Sequence, residues 1–124
     1  MNIQRHNYEN LGLPLGPYVH SVTHQSTLYT SGLTAFGTPA ESGTISDQAK
    51  VIFDQLESIA LQQNTSLQHL IKVTIFVTDL TDIDKLRDFL FESYGENLPA
   101  SALIKIDSLF IPDLLIEIEA IFAL

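Results

Sequence analysis

The chain of 124 residues contains no cysteine and has little positive charge. The first absence excludes disulfide bonds, thiolate nucleophiles and cysteine-ligated zinc or iron–sulfur sites. The second leaves six Lys and Arg against fifteen Asp and Glu, for a formal net charge of -9 at pH 7. Because a negative field repels phosphate backbones, we expect no nucleic-acid partner.

Long apolar runs are missing as well. No segment approaches the roughly 18 consecutive apolar residues that span a bilayer, and residues 1–6 lack the apolar core of a signal peptide. We therefore expect a cytoplasmic protein with no membrane association. The hydrophobic content of 45% is typical of globular proteins, and the absence of repeats and linkers favours one domain over residues 1–124.

The spacing of apolar residues predicts six strands and two helices. The strands are expected over residues 3–8, 18–24, 27–31, 70–78, 101–106 and 114–123. The first helix is expected over residues 47–63, capped by Ser46 and terminated by Asn64. A second helix should follow a capping-box pattern at Thr81 to Asp84 and end at Gly95, while residues 33–46 form a long loop.

This order of elements predicts an α+β fold, with a single mixed sheet of about six strands and two helices on one face. The even-numbered apolar residues of the last two strands are expected beneath the helices. The other face would then carry Ser101, Leu103 and Lys105 beside Leu115, Glu117 and Glu119. Because this set is too apolar for full exposure, association with further copies is expected.

Four segments resemble, in order and at suitable spacing, the Rid/YjgF family, which is also called endoribonuclease L-PSP. They are Gly16–Tyr18, Leu28–Gly32, Ile71–Leu80 and Ile116–Ile121. With the helix positions, the resemblance covers about residues 10 to 122. It implies a chorismate-mutase-like fold and a homotrimer whose intersubunit clefts bind a small metabolite, a carboxylate or a keto or imino acid, with no cofactor.

The resemblance also implies a reaction and its residues. Deaminases of the family hydrolyse enamines and imines to 2-keto acids and ammonia, using an arginine after Pro-Ala as a carboxylate clamp. A tyrosine and a Ser-Gly backbone amide frame their pocket, and a glutamate positions the attacking water. By position in the sequence, Tyr18, Ser31 with Gly32, and Glu117 match the tyrosine, the amide and the glutamate.

The arginine position does not match, because Ser101 follows Pro99 and Ala100. A hydroxyl supplies neither the charge nor the fork of a guanidinium. If such a bond contributes roughly 1.5–3 kcal/mol, carboxylate binding weakens on the order of 10- to 150-fold. Two functions stay open: a hydrolase of the enamine/imine type with altered activity, and a non-catalytic trimer that binds ligands or proteins. The acidic chain argues against an endoribonuclease.

Each candidate residue has a second interpretation. Glu117 could pair with Lys105 across a final hairpin instead of orienting water. Tyr18 is either a pocket wall or an interface aromatic, and Ser31 with Gly32 either offers an amide or ends a strand in a turn. A metal site is not expected, because His20 and His24, four apart in a strand, lie about 13 Å from each other.

Overall fold

The computed structural model describes residues 1–124. It contains six strands and two helices, which confirms the predicted elements. The strands are β1 (Ile3–His6), β2 (Ser21–His24), β3 (Thr27–Thr30), β4 (Leu70–Val77), β5 (Ala100–Lys105) and β6 (Ile116–Ala123). The helices are α1 (Ile45–Gln62) and α2 (Ile83–Tyr94), and short 3-10 turns occupy Glu9–Leu11 and Leu67–His69.

All six strands form one mixed sheet in the order β1-β2-β3-β6-β4-β5. Neighbouring strands are antiparallel except for β4 and β5, which run parallel. A parallel pair needs a crossover connection, and α2 supplies it between β4 and β5. The predicted α+β fold with a single mixed sheet is therefore confirmed.

The start of α1 differs from the prediction. Thr44 is the N-cap: its hydroxyl accepts a hydrogen bond from the Asp47 N–H at 3.1 Å, and the Asp47 carboxylate accepts one from the Thr44 N–H at 3.2 Å. This reciprocal capping box satisfies two N–H groups that the helix leaves unpaired. Ser46 consequently lies inside the first turn, and its predicted role as the cap was wrong. The predicted terminator Asn64 does adopt a left-handed φ of 62°.

The start of α2 also lacks the predicted capping box. Asp82 is the N-cap and makes no side-chain cap bond. The Thr81 hydroxyl instead donates to the Asp79 carboxylate at 2.5 Å, and the Thr81 N–H donates to the same carboxylate at 2.7 Å, so these groups form a turn before the helix. The end of the helix is as predicted, since Gly95 follows it with a positive φ of 58°.

The core lies between the helices and one face of the sheet. On β4 and β6 this face carries the buried residues Val73, Ile75, Val77, Ile116, Ile118, Ala120 and Phe122. They form one cluster with the apolar stripe of α1, which includes Ile52, Leu56 and Ile59, and with Leu86 of α2. The predicted facing of β6 is confirmed.

The predicted facing of β5 was wrong. Ser101, Leu103 and Lys105 pair with Val73, Ile75 and Val77 and so point toward the helix side of the sheet. Ala102 and Ile104 pair with Thr74 and Phe76 on the opposite face, which we call the open face. Apolar residues occur at both parities of β5, so alternation could not decide its facing. As an edge strand it lies outside the helix layer, leaving Leu103 38% and Ile104 42% exposed.

The strand order also excludes the pairing of Lys105 with Glu117. Because β4 lies between β5 and β6, no final hairpin exists. Lys105 is in register with Val77, and Glu117 is in register with Phe76.

Neither helix is both long and apolar enough to cross a bilayer.

One buried polar atom in this core has no hydrogen-bond partner. The Tyr94 hydroxyl is enclosed and unpaired, and burial raises the pKa of Tyr94 to about 12. Its ring packs against Phe53, with ring centroids 5.7 Å apart. The ring therefore stabilises the core while the hydroxyl opposes folding.

We expect Tyr94→Phe to stabilise the protein. The substitution keeps the ring and removes an unpaired group whose burial costs about 1–3 kcal/mol, so the free energy of unfolding should rise by about 1 kcal/mol. Urea denaturation measures the change, and Tyr18→Phe, at a tyrosine that is 46% exposed, should stay within about 0.5 kcal/mol of wild type. A loss of stability in Tyr94→Phe would contradict the unpaired hydroxyl.

Candidate functional site

A cavity of about 1190 Å³ lies beside the segment that follows β3 and the beginning of β6, and we call it the groove. It has both charged and apolar walls, as small-molecule sites do. It is lined by residues 10–15, 31–34 and 36–39, together with Tyr18, His20, Val51, Asp54, Gln55, Phe110 and Glu117.

A β-bulge lies at the centre of the groove. Tyr29 of β3 pairs with Ile121 of β6, and farther along Leu33 pairs with Ile118, so one strand has an extra residue. The extra residue falls at Ser31 and Gly32. The N–H groups of Ser31 and Leu33 are hydrogen-bonded to backbone carbonyls, but the N–H of Gly32 makes no hydrogen bond within the chain. The bulge thus leaves one backbone donor available beside the groove.

Glu117 lies directly against this bulge. A Cβ atom built on Gly32 would come within 2.8 Å of the Glu117 Cδ, so only glycine leaves the carboxyl group its present place. The side chain is half-buried and has no hydrogen bond or ion pair within the chain. Burial raises the pKa of Glu117, and the negative charge of Glu119 raises this pKa further. A carboxyl group of this kind is suited to proton transfer.

Tyr18 and Ser31 have different hydrogen-bonding states. The Tyr18 hydroxyl accepts from the Leu15 N–H at 3.2 Å, so its own proton remains available to a ligand. The Ser31 hydroxyl donates to the Val19 carbonyl at 2.6 Å, so its proton is already used within the chain. Ser31 therefore fixes the chain next to Tyr18, and its own hydroxyl retains only acceptor capacity.

Ser101 does not join the other predicted residues within one chain. Tyr18, Ser31, Gly32 and Glu117 all line the groove, whereas Ser101 is exposed on the edge strand β5, in register with Val73. The groove is also without Lys or Arg, and its carboxylates are Asp54 and Glu117. No group of three or more His, Asp or Glu side chains is arranged to hold a metal.

Sequence reasoning missed Gln48, which holds the loops of the groove. Its fully buried side-chain amide donates to the carbonyls of Glu41 at 3.1 Å and Asp113 at 2.9 Å, and its Oε1 accepts from the Leu115 N–H at 2.9 Å. The two loops tied in this way also carry Phe36 and Phe110, which meet edge to face in the groove wall. The available signal was a polar residue on the apolar stripe of α1.

We expect Gln48→Met to lower the free energy of unfolding by about 3 kcal/mol, because it removes three hydrogen bonds of a fully buried side chain, each contributing roughly 0.5–1.5 kcal/mol. Chemical denaturation measures this loss. Gln62→Met, at an exposed position near the end of α1, should change stability by no more than about 0.5 kcal/mol. A loss below about 1 kcal/mol in Gln48→Met would show that water replaces these bonds.

The mixed sheet, the helix layer and the groove at the β3–β6 bulge define a two-layer α+β domain with a preformed polar site. The sequence profile described as Endoribonuclease L-PSP matches residues 10–124. The chain belongs to this family, the Rid/YjgF family.

Individual relatives agree with this assignment. A RutC family protein of Pyrococcus horikoshii is 31% identical over 116 residues, which are 91% of each chain. A 2-iminobutanoate/2-iminopropanoate deaminase of Dermatophagoides farinae is 25% identical over 99 residues, 77% of each chain. The crystal structure of RidA from an Antarctic Psychrobacter superposes with a TM-score of 0.88, at 24% identity over 98% of this chain and 99% of that one. The structural likeness confirms the fold.

Proposed function

We propose that this protein binds a small keto or imino acid in the groove and hydrolyses enamine or imine intermediates to keto acids and ammonia. The main support is that Glu117, whose carboxyl group has no hydrogen-bond partner, lies beside the unbonded N–H of Gly32. These groups supply a proton acceptor and a hydrogen-bond donor a few ångströms apart. The name of the Dermatophagoides farinae relative assigns the same substrate class to that protein.

The proposed reaction is addition of water to the imine carbon. An enamine first tautomerises to the imine by moving a proton from nitrogen to its terminal carbon. Glu117 then takes a proton from the water as the water oxygen bonds to the imine carbon, and returns this proton to the nitrogen, which becomes an amine. Collapse of the resulting carbinolamine expels ammonia and leaves the keto acid. The Gly32 N–H and the Tyr18 hydroxyl hydrogen-bond the substrate oxygens and hold the carbon near the water.

Ser101 alters this site relative to the deaminases that the chain resembles. With no Lys or Arg lining the groove, a substrate carboxylate is held by neutral donors. Such hydrogen bonds are weaker than the bidentate pair formed by arginine. The proposed activity is therefore slower, or has a higher KM, than that of an arginine-containing relative.

The open face of the sheet supports assembly of the proposed homotrimer. Tyr29 and Ile104 on this face are each 42% exposed, and Phe76 and Ile121 between them are half-buried. A sheet with one uncovered, partly apolar face is stabilised when further copies cover it. Assembly would also bring the edge strand of one copy, with Ser101, toward the groove of another.

We expect analytical ultracentrifugation to give a mass three times that of the 13.8 kDa chain. Ile104→Asp places a charge on the open face and should shift the protein toward monomer. Leu61→Asp, at a leucine 60% exposed on α1, is the matched control and should leave the mass unchanged. A wild-type monomer, or equal effects of the two substitutions, would contradict the assembly.

The activity test compares two neighbouring carboxylates of β6. Ammonia release from freshly generated 2-aminoacrylate should fall by about 100-fold or more in Glu117→Gln, the range expected for loss of a general base. Glu119→Gln, on the same strand and face, should retain turnover. Because Glu119 raises the pKa of Glu117, removing its charge should move the acid limb of the pH–rate profile to lower pH.

Two results would replace this proposal. Equal turnover by wild type and Glu117→Gln would remove the carboxylate from the chemistry. No turnover by wild type, together with binding of pyruvate in calorimetry, would instead identify a non-catalytic ligand-binding trimer. The observation that favours this second function is the missing cation, since the groove has no counterpart of the arginine that holds the substrate carboxylate in the deaminases.

A further inference from the structure

His20 borders the groove at the residue where β2 begins to pair with the end of β3. Its side chain is only 5% exposed. Its backbone is fixed on both sides, because its N–H donates to the Asn7 Oδ1 at 3.1 Å and its carbonyl accepts from the Ser31 N–H at 2.9 Å. The second bond places His20 beside the bulge that frees the Gly32 N–H.

The hydrogen bonding of the ring determines its tautomer. The backbone N–H of Tyr8 donates to the His20 Nδ1 at 2.9 Å, so Nδ1 must carry the lone pair. Burial lowers the pKa of His20, which favours the neutral ring and puts its single proton on Nε2. Stacking on the Tyr8 ring, with centroids 6.0 Å apart and planes 12° from parallel, fixes the ring orientation.

The Nε2–H is left without a partner in the chain. The His20 side chain makes one hydrogen bond, in which Nδ1 accepts from the Tyr8 N–H. Yet Nε2 is not sealed inside the protein, because the Tyr94 hydroxyl is the only buried side-chain polar atom without a partner. His20 lines the groove, so an oxygen of a ligand bound there is an available acceptor for this N–H.

We infer that His20 is a ligand-contacting residue whose neutral Nε2–H donates a hydrogen bond to a keto or carboxylate oxygen of the bound metabolite. The inference rests on the proposed function of the groove as a ligand site. Together with the Gly32 N–H and the Tyr18 hydroxyl, His20 gives the groove three neutral donors in place of a cation. The ligand class is then a small compound recognised through carbonyl or carboxylate oxygens by hydrogen bonds.

The experiment measures pyruvate binding by calorimetry in the assembled protein. His20→Leu removes the donor and should weaken binding by roughly 3- to 10-fold, the range for one neutral hydrogen bond. His20→Gln should restore most of that affinity, because its amide oxygen accepts from the Tyr8 N–H while its NH₂ donates. His69→Leu, at an exposed histidine away from the groove, should bind like wild type.

A second measurement uses the wild-type protein, so its result does not depend on whether the variants fold. Long-range ¹⁵N–¹H spectra should show the Nε2–H tautomer of His20, and saturating pyruvate should shift the His20 Nε2 resonance while leaving His69 unchanged. Pyruvate binding without a shift at His20, and with equal affinity in His20→Leu, would overturn the inference and leave the proposed function standing. Absence of pyruvate binding in wild type would overturn both.

Discussion

The extra residue between β3 and β6 is the constraint on which the site depends. In a regular antiparallel ladder every second N–H bonds to the neighbouring strand, and the side chains alternate without interruption. The bulge at Ser31 and Gly32 breaks this pattern at one point, which leaves the Gly32 N–H unbonded and brings the Glu117 carboxyl group against the Gly32 Cα. Glycine is required there because any side chain would displace the carboxyl group.

The shape of the groove is maintained by hydrogen bonds of side chains that have no part in the proposed reaction. Gln48 joins two long loops to α1, and the Ser31 hydroxyl joins the bulge to the segment that carries Tyr18. Fixed loops of this kind keep polar groups in place before a ligand arrives, which lowers the entropy lost on binding. The burial that accompanies this arrangement is also what raises the pKa of Glu117 and lowers that of His20. Packing and site electrostatics therefore have the same structural origin.

The facing of a strand could be predicted from the sequence where its apolar residues alternate in only one way. Strand β6 alternates strictly, so its buried face and the outward direction of Glu117 could be predicted, and family resemblance selected Tyr18 and Gly32. Strand β5 is apolar at both parities and lies at the sheet edge, so its facing depends on the register with β4. The place of Ser101 outside the groove follows from that register. The bulge and the tautomer of His20 depend on hydrogen bonds between distant segments, for which local sequence carries no signal.

Ligand binding at the bulge can be followed at the backbone N–H of Gly32. A titration of the uniformly ¹⁵N-labelled protein with 2-ketobutyrate, followed in ¹H–¹⁵N correlation spectra, resolves that amide from those of its neighbours. The expected result is a saturable downfield proton shift at Gly32 that exceeds the shifts of the already bonded Ser31 and Leu33 amides. Saturable binding that leaves the Gly32 amide unshifted would contradict the claim that the bulge forms the ligand site.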